Sequence, residues 1–146
     1  MSYNKILIAV DSSEYSMQAA KKGLELAHQL NAKAALIYVV DKSKAMGNID
    51  AGIMPEEALL VLKKEVEQTL DQLATMYNGK ELMKFMPEGH PTEDIINTAK
   101  IWEADLIVMG THGRTGLKEL LMGSVATYVI HHSKIPVMTV PFKKQL

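Results

Sequence analysis

Residues 105–124 read DLIVMGTHGRTGLKELLMGS, an apolar run followed by four glycines and then by a helix-like segment that begins at Ser124. The apolar run at 105–109 predicts a strand that is buried on both faces of a parallel sheet. Glycine lets a backbone turn sharply and lets a ligand approach closely. A helix N-terminus adds unpaired N–H groups and the positive end of a dipole. The stretch therefore predicts a phosphate-binding loop between a strand and a helix.

The rest of the chain repeats this alternation of strand-like and helix-like segments. Runs at 6–10, 34–40, 81–86 and 135–140 predict four more strands, and the segments between them carry apolar residues at spacings of three and four. This β-α-β-α-β-α-β-α-β order predicts one α/β domain over residues 1–146, with a parallel sheet and helices on both faces. Prolines 136 and 141 predict that the last strand lies at an edge or that its start is unpaired. Residues 42–54 show no periodicity and are predicted to be a long loop or lid.

The composition limits the classes of partner. With 16 basic and 17 acidic residues the net charge is −1, which gives no basis for electrostatic capture of nucleic acid or an anionic membrane. The absence of cysteine excludes disulfides and thiolate catalysis. No apolar stretch approaches the roughly 20 residues that span a bilayer, and the apolar run near the N-terminus is too short for a signal peptide. We therefore expect a cytoplasmic protein.

The glycine-rich stretch matches neither of two common phosphate-binding patterns. It lacks the Gly-x-x-x-x-Gly-Lys-[Ser/Thr] sequence of a Walker A loop. The Gly-x-Gly-x-x-Gly fingerprint of dinucleotide-binding proteins follows the first strand, but here residues 11–14 at that position read DSSE. Asp11 and Asp41 end the first two strands, at the edge where Gly110 is expected. Asp11 is interpreted as a helix N-cap or as a ligand contact, and Asp41 as a capping residue or as a contact to a metal or ribose. Ser124 is interpreted as the N-cap of the last helix.

The motifs resemble those of the universal stress protein family. The resemblance rests on the spacing Gly-x2-Gly-x9-Gly-Ser from Gly110 to Ser124, with VDSS at 10–13, VVD at 39–41 and GHP at 89–91, and it covers residues 5–140. It implies an adenine nucleotide alpha hydrolase-like sheet in the order 3-2-1-4-5. It also implies a homodimer in which the last strands, Val137–Val140, of two subunits pair. Because the complete glycine motif marks the members that bind ATP, we expect a regulatory protein that binds ATP, or ADP or AMP, with or without magnesium.

The resemblance also implies which residues form the site. The adenine and ribose are expected beside Ala9, Val10, Asp11, Val39, Met109 and Gly110, and the phosphates beside Gly113, Arg114, Gly123, Ser124 and Val125. Ala9 departs from the family pattern, since some ATP-binding members carry proline there. We expect that difference to alter packing more than binding.

Two other functions stay open at this point. The same site would serve a slow ATPase or a phosphoryl-transfer enzyme, although no general base, metal-ligand cluster or arginine finger is assigned to it. We accordingly predict no catalytic residue and no metal ligand. The third possibility is a dimeric interaction module that binds no nucleotide, against which the intact glycine motif argues.

Overall fold

The computed structural model describes residues 2–47, 49–78, 81–111 and 122–142, apart from the side chain of Ile49. These residues form five strands and four α-helices in the alternating order predicted from the sequence. The strands are β1 (Lys5–Ala9), β2 (Lys33–Ile37), β3 (Leu82–Phe85), β4 (Leu106–Gly110) and β5 (Val137–Val140). The helices are α1 (Glu14–Leu30), α2 (Pro55–Thr75), α3 (Pro91–Trp102) and α4 (Ser124–His132). No helix in these ranges is both long and apolar enough to cross a membrane.

The strands form one parallel sheet in the order β3-β2-β1-β4-β5, which confirms the predicted fold class. Strands β1 and β4 are neighbours, but after β1 the chain continues to β2 on one side of this pair, and after β4 it continues to β5 on the other side. In a doubly wound sheet this arrangement opens a crevice beyond the carboxyl ends of the strands, where ligands bind. Strand β5 lies at an edge, as its flanking prolines predicted.

Helices cover both faces of the sheet. Ile6, Ile8 and Val10 pack with α1 and α2, whereas Leu7 and Ala9 pack with α3 and α4. Coverage of both faces explains why β1 is a continuous apolar run and does not alternate with polar residues. Helix α1 lies especially close to the sheet at Gly23. A Cβ atom there would stand 2.9 Å from Cγ1 of Ile8 and 3.1 Å from Cγ1 of Val108.

Two helix caps differ from the sequence interpretation. Ser13 is the N-cap of α1, and its hydroxyl accepts the N–H of Ser16 at 3.1 Å. The N-cap interpretation of Asp11 is therefore wrong. The N-cap of α4 is Gly123, so Ser124 is the first helical residue and not the cap that the sequence suggested. Prolines occupy the first positions of α2 and α3, where the fixed φ of proline suits a helix start.

The bounds of some elements also differ from the prediction. Strand β2 ends at residue 37 and not at 40, because β1 stops pairing with it after the hydrogen bond from the N–H of Val10 to the carbonyl of Ile37. Beyond it, the N–H groups of Tyr38 and Val40 donate to the carbonyl groups of Phe85 and Pro87, on the β3 side. The connection 42–54 contains two short 3-10 turns, Lys42–Lys44 and Ile49–Ala51, within the predicted loop.

Candidate functional site

A cavity of about 330 Å³ lies at the carboxyl edge of the sheet, at the crevice that the topology creates. Its volume falls in the range of about 300–1,000 Å³ that is typical of small-molecule sites. It is lined by Ala9, Val10, Asp11, Ser16, Tyr38, Val39, Asp41, Lys44, Leu62, Pro91, Ile95, Met109, Gly110, Thr111, Gly123, Ser124, Val125 and Ala126. Segments far apart in the sequence, from β1 to α4, therefore meet around one space.

The structure brings together the predicted site residues that it describes. Those nine residues all line the cavity: Ala9, Val10, Asp11, Val39, Met109, Gly110, Gly123, Ser124 and Val125. The other two, Gly113 and Arg114, lie outside the described residues.

One half of the cavity is an apolar slot on the face of the sheet that α3 and α4 cover. Ala9, Val39 and Met109 form its wall from three adjacent strand ends, and each is less than a tenth exposed. Pro91 and Ile95, from the first turns of α3, line the cavity as well. Buried apolar side chains make this half suitable for a flat, weakly polar group.

The opposite end of the cavity is formed by the start of α4. Gly123 is buried and extended, with φ −64° and ψ 158°, and its N–H donates to the carbonyl of Thr111 at 2.6 Å. The first hydrogen bond of this helix runs from the N–H of Thr127 to the carbonyl of Gly123. The N–H groups of Ser124, Val125 and Ala126 precede that bond and have no acceptor among the described residues. Unpaired N–H groups at a helix start attract an anion.

Two aspartates at the rim each accept two hydrogen bonds from the serine two residues later in the sequence. The Oδ1 atom of Asp11 accepts the N–H of Ser13 at 2.8 Å and its hydroxyl at 2.5 Å. The Oδ1 atom of Asp41 accepts the N–H of Ser43 at 3.0 Å and its hydroxyl at 2.6 Å. Asp41 is thus a capping residue of the first 3-10 turn. In each carboxylate, Oδ2 receives no hydrogen bond from the described residues and is available to a donor in the cavity.

Ser16 fixes the backbone beside the first aspartate. It is 4% exposed, and its hydroxyl oxygen accepts the N–H of Asp11 at 2.6 Å. The end of β1 is therefore tied to the first turn of α1, since Asp11 is bonded to Ser13 and Ser16 at once. This satisfies a backbone donor that the sheet no longer pairs.

An ion-pair cluster holds the second rim segment. The Glu88 carboxylate lies 3.1 Å from the ammonium of Lys42 in the 3-10 turn and 2.5 Å from that of Lys63 in α2. Hydrogen bonds and charge from Lys63, and then from Lys42, hold the pKa of Glu88 below its ordinary value. The turn that carries Asp41 and Lys44 is therefore tied both to α2 and to the segment after β3.

Sequence reasoning missed several residues that line the cavity: Ser16, Tyr38, Lys44, Leu62, Pro91, Ile95, Thr111 and Ala126. Pro91 was noted as part of the GHP motif and not as a site residue. The position of Ser16, five residues after Asp11 at a predicted helix start, was a usable indication. Lys44 and Leu62 gave none, because only the tertiary placement of the connection and α2 brings them to the cavity.

The structure offers no ready metal centre within residues 2–47, 49–78, 81–111 and 122–142. No group of three or more His, Asp or Glu side chains there is placed to hold a metal ion. Asp11 and Asp41 remain as two separate carboxylates at the rim.

Comparison with known proteins shows which sequences and structures the chain is similar to. The sequence model of the Universal stress protein family matches residues 2–141. Universal stress protein MJ0531 of Methanocaldococcus jannaschii is 39% identical over 145 residues, which cover 98% of this chain and 85% of that protein. The solved structure of MJ0577, from the same organism, is 28% identical, covers 99% of this chain and 100% of that one, and has a TM-score of 0.85.

A more distant structure comes from Arabidopsis thaliana, a universal stress protein family protein solved with AMP bound. It is 19% identical, covers 96% of this chain and 92% of that one, and has a TM-score of 0.64. At this identity the likeness shows a shared fold.

Proposed function

The chain belongs to the universal stress protein family, and from that premise we propose that it is a regulatory protein that binds an adenine nucleotide. The observation that carries the proposal is the convergence of predicted residues from β1, β2, β4 and α4 on one cavity. AMP in the Arabidopsis thaliana protein, which shares the fold, is an example of this ligand class. ATP is the ligand we expect here, with ADP and AMP as the close alternatives.

The two ends of the cavity fit the two ends of a nucleotide. The apolar slot beside Val39 and Met109 suits the flat base, and the start of α4 at Gly123 suits the phosphates, because its N–H groups and dipole favour an anion. Between these ends, the Oδ2 atoms of Asp11 and Asp41 suit the hydroxyl donors of a ribose. The geometry favours holding the ligand, since these groups bind and orient it.

The first experiment identifies the ligand. Mass spectrometry of nucleotide released by acid from the purified protein, followed by calorimetric titration with ATP, ADP and AMP, tests the proposal directly. If no nucleotide co-purifies and none binds at millimolar concentration, the proposal is wrong.

Replacing Gly123 by valine tests the phosphate end. The backbone at Gly123, with φ −64° and ψ 158°, is one that valine adopts readily, so we expect the fold to persist. The added side chain would occupy space beside the α4 N–H groups, and overpacking of about 1–3 kcal/mol corresponds to roughly a 5- to 150-fold loss of ATP affinity.

His131→Val, at an exposed residue of the same helix that does not line the cavity, is the matched control and should retain affinity. Unchanged affinity in Gly123→Val would show that the phosphates do not lie at this helix.

We further propose a homodimer formed through the edge strand Val137–Val140. The carbonyl oxygens of Pro136 and Val140 accept hydrogen bonds from the β4 side. Since alternate residues of a strand point opposite ways, Val137 and Thr139 direct their N–H and C=O groups to the open edge. Such an unpaired edge is a template for a second strand.

The slow-ATPase hypothesis stays a prediction from the sequence. It is separated from the binding proposal by measuring magnesium-dependent phosphate release from ATP by the wild type and by Asp11→Ala. Turnover that disappears in this variant would favour the enzyme.

A further inference from the structure

We propose that Lys44 contacts the ligand and recognises its nucleoside part, an inference that rests on the proposed nucleotide-binding function. Lys44 ends the 3-10 turn after β2, where its N–H donates to the carbonyl of Asp41 at 2.9 Å. It lines the cavity together with Asp41 and Leu62. Among the described lining residues it is the one cation.

The neighbouring charges leave the Lys44 ammonium available. Lys42 and Lys63 are both paired with Glu88, at 3.1 Å and 2.5 Å. In the part of the chain that the structure describes, no carboxylate forms an ion pair with Lys44 and no acceptor takes a hydrogen bond from its side chain. Lys42 and Lys63 are therefore engaged with Glu88, while Lys44 lines the cavity without such a partner among the described residues.

The strand order decides which end of the ligand Lys44 meets. Lys44 follows β2, whereas α4 starts beyond the end of β4, and β1 lies between these two strands. Two strand spacings amount to about 10 Å. Phosphates bound at the start of α4 are thus at the far end of the cavity, and the group nearest Lys44 is the base or the sugar.

The chemistry of an ammonium sets the size of the expected effect. Lys44 is a donor only, and it would bond to a ring nitrogen of the base or an oxygen of the sugar. A hydrogen bond from a charged donor that remains partly in water corresponds to about a tenfold change in affinity. Because adenosine, AMP and ATP share the nucleoside, removal of this bond should weaken all three by the same factor.

The experiment compares Lys44→Met with Lys42→Met by calorimetric titration of adenosine, AMP and ATP. Both variants remove one positive charge from the same turn, but only Lys44 lines the cavity. Lys63 still holds Glu88 in the control, and the turn keeps its bonds from Ser43 to Asp41. We expect about a tenfold loss for each ligand in Lys44→Met and less than about a twofold change in Lys42→Met.

Three results would overturn the inference. A loss that increases from adenosine to ATP would mean that Lys44 acts on the phosphates, and an equal loss in Lys42→Met would mean a general effect of charge. Unchanged binding in Lys44→Met, while the wild type binds, removes the inference and leaves the proposed function. If the wild type binds none of the three ligands, both fail together.

Discussion

Replacing Gly23 by alanine tests the close packing of α1 on the centre of the sheet. Alanine is favoured over glycine in a helix interior by about 1 kcal/mol, so propensity alone predicts that the variant is more stable. The structure opposes this gain. The new Cβ atom would lie 2.9 Å and 3.0 Å from Cγ1 and Cδ1 of Ile8 and 3.1 Å from Cγ1 of Val108.

The packing effect should exceed the propensity effect. Carbon atoms pack best at about 3.5–4.0 Å, so the neighbours must move by about half an ångström. Ile8 and Val108 have no exposed surface and lie on β1 and β4, which both have strands on either side, so there is little open space for them to enter. Overpacking of this kind costs about 2 kcal/mol. The net expectation is a loss of about 1 kcal/mol in the free energy of unfolding, or about 3 °C in Tm.

Urea denaturation of Gly23→Ala, Ile8→Val and the double variant measures both terms. Ile8→Val alone should cost about 1 kcal/mol. In the double variant, loss of Cδ1 removes one of the two close contacts with residue 8 and leaves that with Cγ1, so we expect about 0.5–1 kcal/mol less destabilisation than the sum of the single variants. A more stable Gly23→Ala, or strictly additive effects, would refute the close contact between α1 and the sheet.

Two further predictions concern the rim turn and the dimer edge. Lys63 and Lys42 lower the pKa of Glu88 in the folded protein. The ionised carboxylate should therefore make its full contribution to stability above the ordinary glutamate pKa of about 4.3. It should lose that contribution as the pH falls through the lower pKa of the folded state. Denaturation at pH 7 should therefore find Glu88→Gln less stable than the wild type, with the difference shrinking in acid; a constant difference would contradict this. Thr139→Pro removes an N–H group that β5 directs to the open edge, so this variant should be a monomer in sedimentation velocity. Thr139→Ala keeps that N–H group and should remain a dimer. A Thr139→Pro variant that remains dimeric would place the interface elsewhere.

The fold was predictable because the burial of each strand and helix is visible in the apolar pattern of its own residues. Continuous apolar runs at β1 and β4 follow from coverage on both faces, and the order of elements then restricts the topology. The end of β2 was less predictable. Residues 38–40 are as apolar and buried as the strand itself, but they separate from β1. Hydrophobicity reports burial, and it does not report which neighbour supplies the hydrogen bonds.

The site was predictable only in part, for two physical reasons. Near a helix start, Asp11 and Ser13 are both good capping residues, and which of them caps depends on the phase set by packing of the whole helix. Lys44 and Leu62 reach the cavity through the tertiary placement of the connection and of α2, whose Lys42 and Lys63 both pair with Glu88, more than 20 residues away in sequence. No local pattern records such a contact.

The serine-held aspartates have a consequence for the thermodynamics of association. Each Oδ1 atom is engaged by two donors of a residue only two positions along the chain, so the carboxylates of Asp11 and Asp41 are oriented before any ligand arrives. A ligand that meets them need not freeze these side chains, and it avoids an ordering cost of about 0.5–1.5 kcal/mol for each side chain immobilised on binding. The receptor is thus preorganised by its own backbone turns, and affinity at this rim is set by the fit of the ligand more than by adaptation of the protein.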